Sequence, residues 1–311
     1  MGQNRTFISN IRLNCQHGVA LITVMLIVAL ATITAVAMTT RQQLDIYRTA
    51  NLINNDQAYL YALGGESWIK RILLRDSKKV DDLQDIWATA IPALPIPGGY
   101  ITGQTIDLQG RFNLNNLLQD DGKISSKDII VLERLLTILE LPISLAQIIV
   151  DWIDINEEQL INGAEDNVYL MKNPAYRTAN RFLFDPSELR LLVGIEEYYK
   201  LLPYISTLPT RTSININTAS AKILMAVIEG LTENEVAILL TKREQQPFTS
   251  IQNFVTQDIL AGLKIHDENL TVASSYFLFV AEVKIVQGRA KLNSILHRIT
   301  DQVKIIMRSK I

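Results

Sequence analysis

The chain has 311 residues, a formal net charge of −2 and a 48% hydrophobic content. That supports a core for one large or two small domains, and the lack of a basic excess argues against nucleic acid as a partner. The one cysteine, Cys15, excludes an internal disulfide, and the scattered His17, His266 and His297 argue against a zinc site.

The first feature along the chain is Val19 to Thr40, 22 residues without charge, Gly or Pro. As a helix it rises ~33 Å, enough to cross a bilayer core of ~30 Å. Residues 1–18 carry Arg5 and Arg12 and no acid, a flank that keeps this end cytoplasmic. Gly18 directly precedes the apolar run. Here the chain resembles the prepilin class, whose leaders end in Gly and are cut on the cytoplasmic side of the helix. The resemblance implies cleavage by a prepilin peptidase after Gly18, an N-methylated Val19 and a retained anchor in residues 19–40. Most members have Phe first and Glu fifth after the cut, where this chain has Val19 and Thr23. An uncharged residue suits a subunit with no neighbour above it, because an unpaired carboxylate in a bilayer costs at least a few kcal/mol. It also suits a merely tolerated polar residue, and residue 23 alone does not separate the two. An ordinary secretory signal ending at Ala35-Val36-Ala37, releasing a soluble hydrolase cut after Ala37, is the competing reading.

From Val19 to Leu63 there is no Gly or Pro, which predicts one long helix. Leu44, Tyr47 and Ala50 share a face expected to pack on the chain's own domain. Gly64-Gly65 is expected to bend or interrupt the helix. Asp76 to Asp85 reads as a charged linker, and Pro92, Pro95, Pro97 and Gly98-Gly99 as a loop. Short strand-prone runs follow on either side of Gly103.

Ile129, Leu132, Leu135, Leu136 and Leu139 have helical spacing, with Ser125 and Asp128 as a candidate cap. A second helix runs from Leu145 to Ile153 and opens into an acidic loop. Counted from Asp154, oxygen-bearing side chains fall at positions 1, 3, 5, 9 and 12: Asp154, Asn156, Glu158, Asn162 and Glu165. That is calcium-loop spacing, although position 6 is Gln159 instead of Gly. A solvated loop with local Asx turns accounts for the same residues. A carboxylate acid/base pair is a third option, with no pocket signature beside it. Further on, Asp185-Pro186-Ser187-Glu188 reads as a capped helix start.

The strings GRFNLNNL (110–117), DWID (151–154), GAED with Tyr169, AYRTAN (175–180), SELR (187–190), LLPYISTLP (201–209) and ININ (214–217) occur in that order. Together they resemble the K-class minor pseudopilins of type II secretion systems, over nearly the whole chain. The resemblance implies an α+β fold: a pilin-like scaffold of long N-terminal helix and C-terminal antiparallel sheet, with a large inserted all-helical domain. It implies a non-enzymatic subunit at the tip of the pseudopilus that works with I- and J-class minor pseudopilins and other pseudopilins. It also implies a single-pass inner-membrane protein with its C-terminal domain in the periplasm, acting in pseudopilus assembly and protein export. Calcium is implied at Asp154, Asn156, Glu165 and Asp166, with Asn156 where an Asp is usual.

Residues 214–254 resemble a helix-hairpin-helix module. That leaves a DNA-binding protein of an uptake system as an alternative. The hairpin Glu229-Gly230-Leu231 has one Gly and an acidic flank, which favours a structural role. Residues 276–307 alternate as three strands, with the first turn placed at Gln287-Gly288. The expected division is a leader at 1–18, a membrane segment at 19–40 and a first scaffold part at 41–112. An insertion at 113–272 and the closing strands at 273–311 complete it.

Overall fold

The structure is a computed structural model that describes residues 17–310. All of the expected leader but His17 and Gly18 lies outside the described residues. Helix α1 spans His17–Arg75, 59 residues in one piece. Gly64 and Gly65 do not interrupt it. A glycine costs about 1 kcal/mol in a helix interior, but here the missing side chain admits a close contact. A Cβ on Gly65 would stand 3.1 Å from Ile101 and 3.3 Å from Phe279. Ala58, Ala62, Ile69 and Leu73 are buried along the same stretch. Every side chain from Val19 to Ile53 is exposed. The face at Leu44, Tyr47 and Ala50 therefore does not pack on its own domain, contrary to the expectation from its spacing. The helix meets the rest of the fold only from Asn54 onward.

Strands β1 (Ile91–Ile96) and β2 (Gly99–Asp107) follow the linker. The proline-rich segment is thus an edge strand and its turn, not a plain loop. An edge tolerates proline because one side of the strand has no ladder to supply. The two runs around Gly103 form one continuous strand. The chain then leaves the sheet and, after 168 intervening residues, returns for β7 (Tyr276–Ile285), β8 (Gly288–Arg298) and β9 (Val303–Lys310). The antiparallel order is β1-β2-β7-β8-β9, with Asp107 beside Phe277. The β7–β8 turn is Val286-Gln287, one residue earlier than expected, since Ile285 pairs with Gly288. Gly288 is needed there: a Cβ would reach 2.6 Å from the Asn54 backbone.

One sheet face covers α1. Phe277, Phe279, Ala281 and Val283 of β7 and Leu292 and Leu296 of β8 fill that layer. Glu66, 2% exposed, accepts bonds from Arg308 (2.7 Å) and Ser294 (2.6 Å), tying α1 to β8 and β9.

Between β2 and β7 lies a second core. It contains β3 (Phe112–Asn113), α2 (Ser126–Ile138), α3 (Leu145–Ile153), α4 (Asp166–Tyr169), β4 (Ile205–Ser206) and β5 (Ile214–Asn215). Helices α5 (Ala221–Val227), α6 (Glu233–Gln245) and α7 (Ile251–Val255) follow, then β6 (Leu270–Thr271). The expectation of an all-helical region needs correction, because β3 pairs with β4 and β5 with β6, both parallel. Ile214-Asn215 is strand, and α5 starts only after its cap Ser220. Ser125 precedes α2 without capping it; its hydroxyl donates to Asp128 at 2.5 Å.

Asparagines organise this core. Asn115 donates to the carbonyls of Leu183 (3.0 Å) and Leu208 (2.9 Å) and accepts from Leu183 N–H (2.9 Å). Asn217 exchanges two 2.9 Å bonds with the backbone of Phe248. Each side chain substitutes for backbone partners that short, irregular segments lack.

The linker closes the junction between the two cores. Asp81, fully buried, accepts from Arg298 of β8 at 2.6 Å and from Ser274 N–H at 2.7 Å. Arg298 also meets Asp76 at 3.2 Å and lies over the Phe277 ring. Arg298→Leu would strand the Asp81 charge, at an expected cost of about 3–5 kcal/mol. Circular dichroism of the detergent-solubilised chain would read this as a lower melting temperature. Lys123→Ala, which removes an exposed pair with Asp121, should stay within about 0.5 kcal/mol. Equal shifts for the two variants would disprove the clamp.

Candidate functional site: a buried carboxylate cluster

Helix α3 ends in Asp151-Trp152-Ile153-Asp154, with Asp154 as its C-cap. Residues three apart share a face, so both carboxylates emerge on one side of the last turn. The C-terminal end of a helix carries partial negative charge, which makes this an unfavourable place for two acids. Both are nevertheless buried, at 0% and 2% exposure, and Glu165 joins them at 3%.

The loop from Ile155 to Ala164 wraps back onto this end. Leu160 N–H donates to Asp151 at 3.2 Å. Gly163 is required beside it, since a Cβ there would overlap the Asp151 carboxylate at 1.9 Å. Asn156 donates to Asp154 at 2.8 Å, and its own oxygen accepts Glu158 N–H at 2.7 Å. Thr178 donates to both Glu165 (3.3 Å) and Asp166 (2.9 Å).

The predicted ligand set therefore divides. Asp154 and Glu165 come together, and Asp151 joins them. Asn156 is an exposed Asx turn that orients the loop. Asp166 is taken up by Arg177 at 3.0 Å and by Thr178. Glu158 and Asn162 are exposed. The calcium-loop count identified two of the three buried acids. It missed Asp151 because it began at Asp154, inside a helix that reads as complete. The Asp-x-x-Asp spacing at the end of an apolar helix was the signal.

No basic side chain pairs with Asp151, Asp154 or Glu165 among the described residues. Burial raises all three carboxyls, Asp154 to about 6 and Glu165 to about 7. Repulsion from Asp151 adds to the shift in Asp154, and Glu165 feels both of the others. Asp154 Oδ1 and Glu165 Oε1 are buried and have no hydrogen-bond partner. Asn180, whose N–H donates to Trp152 O at 3.1 Å, carries a third unpartnered oxygen. Unpaired buried acceptors of this kind are costly. An all-oxygen, anionic donor set suits a hard divalent cation such as calcium.

A second acidic trio contrasts with this one. Asp76, Asp81 and Asp85 hold their oxygens within 4.8 Å of one another. Arg298 sits among them, at 3.2 Å from Asp76 and 2.6 Å from Asp81, and Trp87 donates to Asp85. That trio already contains its counter-charge.

In the hairpin segment, Gly230 adopts φ +83° between α5 and α6, and Thr232 and Glu235 form a capping box. Arg243 donates to the carbonyls of Ile216 (2.9 Å) and Ala219 (2.7 Å), and Lys242 to Gln257. These cations are committed to the protein's own groups.

Two family models described as "Type II secretion system (T2SS), protein K" match residues 110–210 and 214–273. The type II secretion system protein K of Pseudomonas aeruginosa is 37% identical, covering 94% of this chain and 92% of the relative. The protein of the same name from Klebsiella pneumoniae is 34% identical, covering 89% and 90%. A chain of the GspK-GspI-GspJ complex from the enterotoxigenic Escherichia coli type 2 secretion system superposes with a TM-score of 0.75. It is 26% identical, covering 85% of this chain and 99% of that one. These relatives are named for a secretion apparatus and not for an enzyme. With a long N-terminal helix laid on an antiparallel sheet, and with relatives above 30% identity along nearly its whole length, the chain belongs to the type II secretion system protein K family of minor pseudopilins.

Proposed function

We propose that this minor pseudopilin occupies the tip of the pseudopilus. It is anchored in the inner membrane by residues 19–40 and carries its folded part in the periplasm. The prepilin peptidase cuts after Gly18 and Val19 becomes the methylated N-terminus. The I- and J-class minor pseudopilins are its partners, a reading favoured by the named complex of the structural relative. The carrying observation is the unbroken exposure of Val19 to Ile53 along α1. Leaving so many large apolar side chains in water costs about 1.5–3 kcal/mol each, so lipid and neighbouring helices are their natural surroundings. Thr23 accords with the end position and equally with a tolerated polar residue: its hydroxyl donates to Ala20 O at 2.9 Å, as that of Thr32 does to Val28 O.

Calcium would be held by Asp154 and Glu165 of the expected set, with Asp151 added. Asn156 and Asp166 hold the loop in shape around them. The ion would supply the positive charge that three buried carboxylates lack, and so stabilise the end of α3 and the loop after it.

Mass spectrometry of protein from the native membrane fraction should find methylated Val19 first; a start at Met38 would remove the anchor and this reading with it. Ile46→Asp with Ile53→Asp should abolish co-purification with the I- and J-class subunits while leaving the melting temperature unchanged, since both residues are exposed. Retained co-purification would disprove helix packing through this stretch. EGTA should lower the melting temperature of the full chain by several degrees, given ~2.7 kcal/mol at a hundred times the dissociation constant. Glu165→Gln should erase that difference. In chelator, Asp154→Asn should melt no lower than the wild type, because it removes one of three repelling charges. An EGTA-insensitive melting curve counts against a structural ion.

A further inference from the structure

A cavity of about 500 Å³ lies between the second face of the sheet and the inserted region. Its volume falls in the range of small-molecule sites, about 300–1,000 Å³. Leu278, Ile295 and Met307 line it from β7, β8 and β9, and Leu108 and Leu208 from the connecting segments. Three polar side chains in the same wall lack partners: the hydroxyls of Ser206 and Thr207 and the amide oxygen of Asn293. Ser206 is 2% exposed and Thr207 7%. Nearly all buried polar groups are satisfied in native proteins, and this cavity collects three exceptions.

Arg111 completes the wall. It is placed by the β3–β4 pairing, because Phe112 lies beside Ile205 and Asn113 beside Ser206. Among the described residues its guanidinium meets only the Leu202 carbonyl, at a long 3.4 Å. The other half-buried or buried arginines are better served: Arg298 by Asp81, Arg211 by Asp128 at 2.7 Å, Arg243 by two carbonyls. Burial lowers the Arg111 pKa from its usual value, and the nearby charge of Asp107, which makes no hydrogen bond to it, partly offsets this. Asp185 also lines the cavity but is occupied at its own helix start, accepting Ser187 N–H at 2.8 Å.

We propose that this cavity binds a single carboxylate on a short apolar body, with the head on Arg111, Ser206 and Thr207 and the body on Leu278, Ile295 and Met307. Arg190 also lines the cavity but is exposed, opposite in charge to Asp185, so the half-buried Arg111 is the guanidinium left to fit one carboxylate with two parallel bonds. Two hydroxyls add neutral donors, and the branched aliphatic floor accepts the remainder. The head belongs either to a free small acid or to the C-terminal carboxyl of a peptide. The site is remote in sequence from the acidic loop and from the exposed part of α1, so it stands or falls independently of the tip assignment.

The test is saturation-transfer NMR on the full chain in nanodiscs. The probes are hexanoate, hexanamide, N-acetyl-leucyl-leucine and the amide of that dipeptide. Both acids should bind, each at least ten-fold more tightly than its amide. Arg111→Gln should weaken acid binding at least ten-fold. Thr207→Val should also weaken it without lowering the melting temperature, because the hydroxyl it removes has no partner in the fold. This second variant keeps the test valid if Arg111→Gln folds poorly. Tighter binding of the dipeptide acid would assign the head to a peptide terminus, and tighter binding of hexanoate to a free acid. Acids that bind no better than their amides, or binding unaltered by Thr207→Val, would show an ordinary hydrated cavity and overturn the proposal.

Discussion

The structure depends on one asymmetry in α1. Its second half is gripped by the sheet, through Ala58, Ala62, Ile69 and Leu73 and through the buried Glu66, which pairs with Arg308. Its first half is exposed and packs on nothing else among the described residues, although it is the most apolar stretch of all. Hydrophobic burial scales with area removed from water, so the fold is incomplete in water by itself. The sheet has one covered layer on α1, and that layer ends where Gly288 meets Asn54. Beyond that point only lipid or other helices can bury the side chains.

Polar burial organises the rest. The inserted region has short helices and two-residue strands, which leave many backbone groups without regular partners. Asn113, Asn115, Asn215 and Asn217 supply them. At the junction, Arg298 pairs with Asp81 and Asp76 and lies over the Phe277 ring. Against this level of satisfaction the exceptions stand out. Asp154 and Glu165 each keep an unpartnered buried oxygen, and so do Ser206 and Thr207 in the wall of the cavity. The acid trio that includes Asp81 is closer packed and carries its own arginine. The two trios therefore differ in counter-charge: Arg298 pairs with Asp76 and Asp81, and no basic side chain among the described residues pairs with Asp151, Asp154 or Glu165.

Much was legible from residue order. The gap in Gly and Pro from Val19 to Leu63 specified the long helix, and alternation after Ser275 specified the three closing strands. The capping signals at Asp185 and Thr232 both form complete boxes. Misreadings arose where tertiary contact outweighs local preference. Pro92 and Pro95 read as loop because a lone segment cannot show that it lies at a sheet edge. Gly64-Gly65 read as a break because their cost is local, while the compensating approach to Ile101 and Phe279 is not. Leu44, Tyr47 and Ala50 read as a buried face because spacing reports a stripe and not what covers it.

The sequence by itself determined the long apolar helix that is a candidate membrane span, the candidate processing site at Gly18, the α+β arrangement and the family, because each rests on local pattern or on ordered strings. Only the tertiary structure decided which acids share a buried space, which arginine neutralises which cluster and where α1 leaves its own domain. Those outcomes depend on side chains brought together across long stretches of chain, 242 positions for Glu66 with Arg308. Periodicity along a chain carries no information about such distances; the packing of one sheet face against one helix sets them.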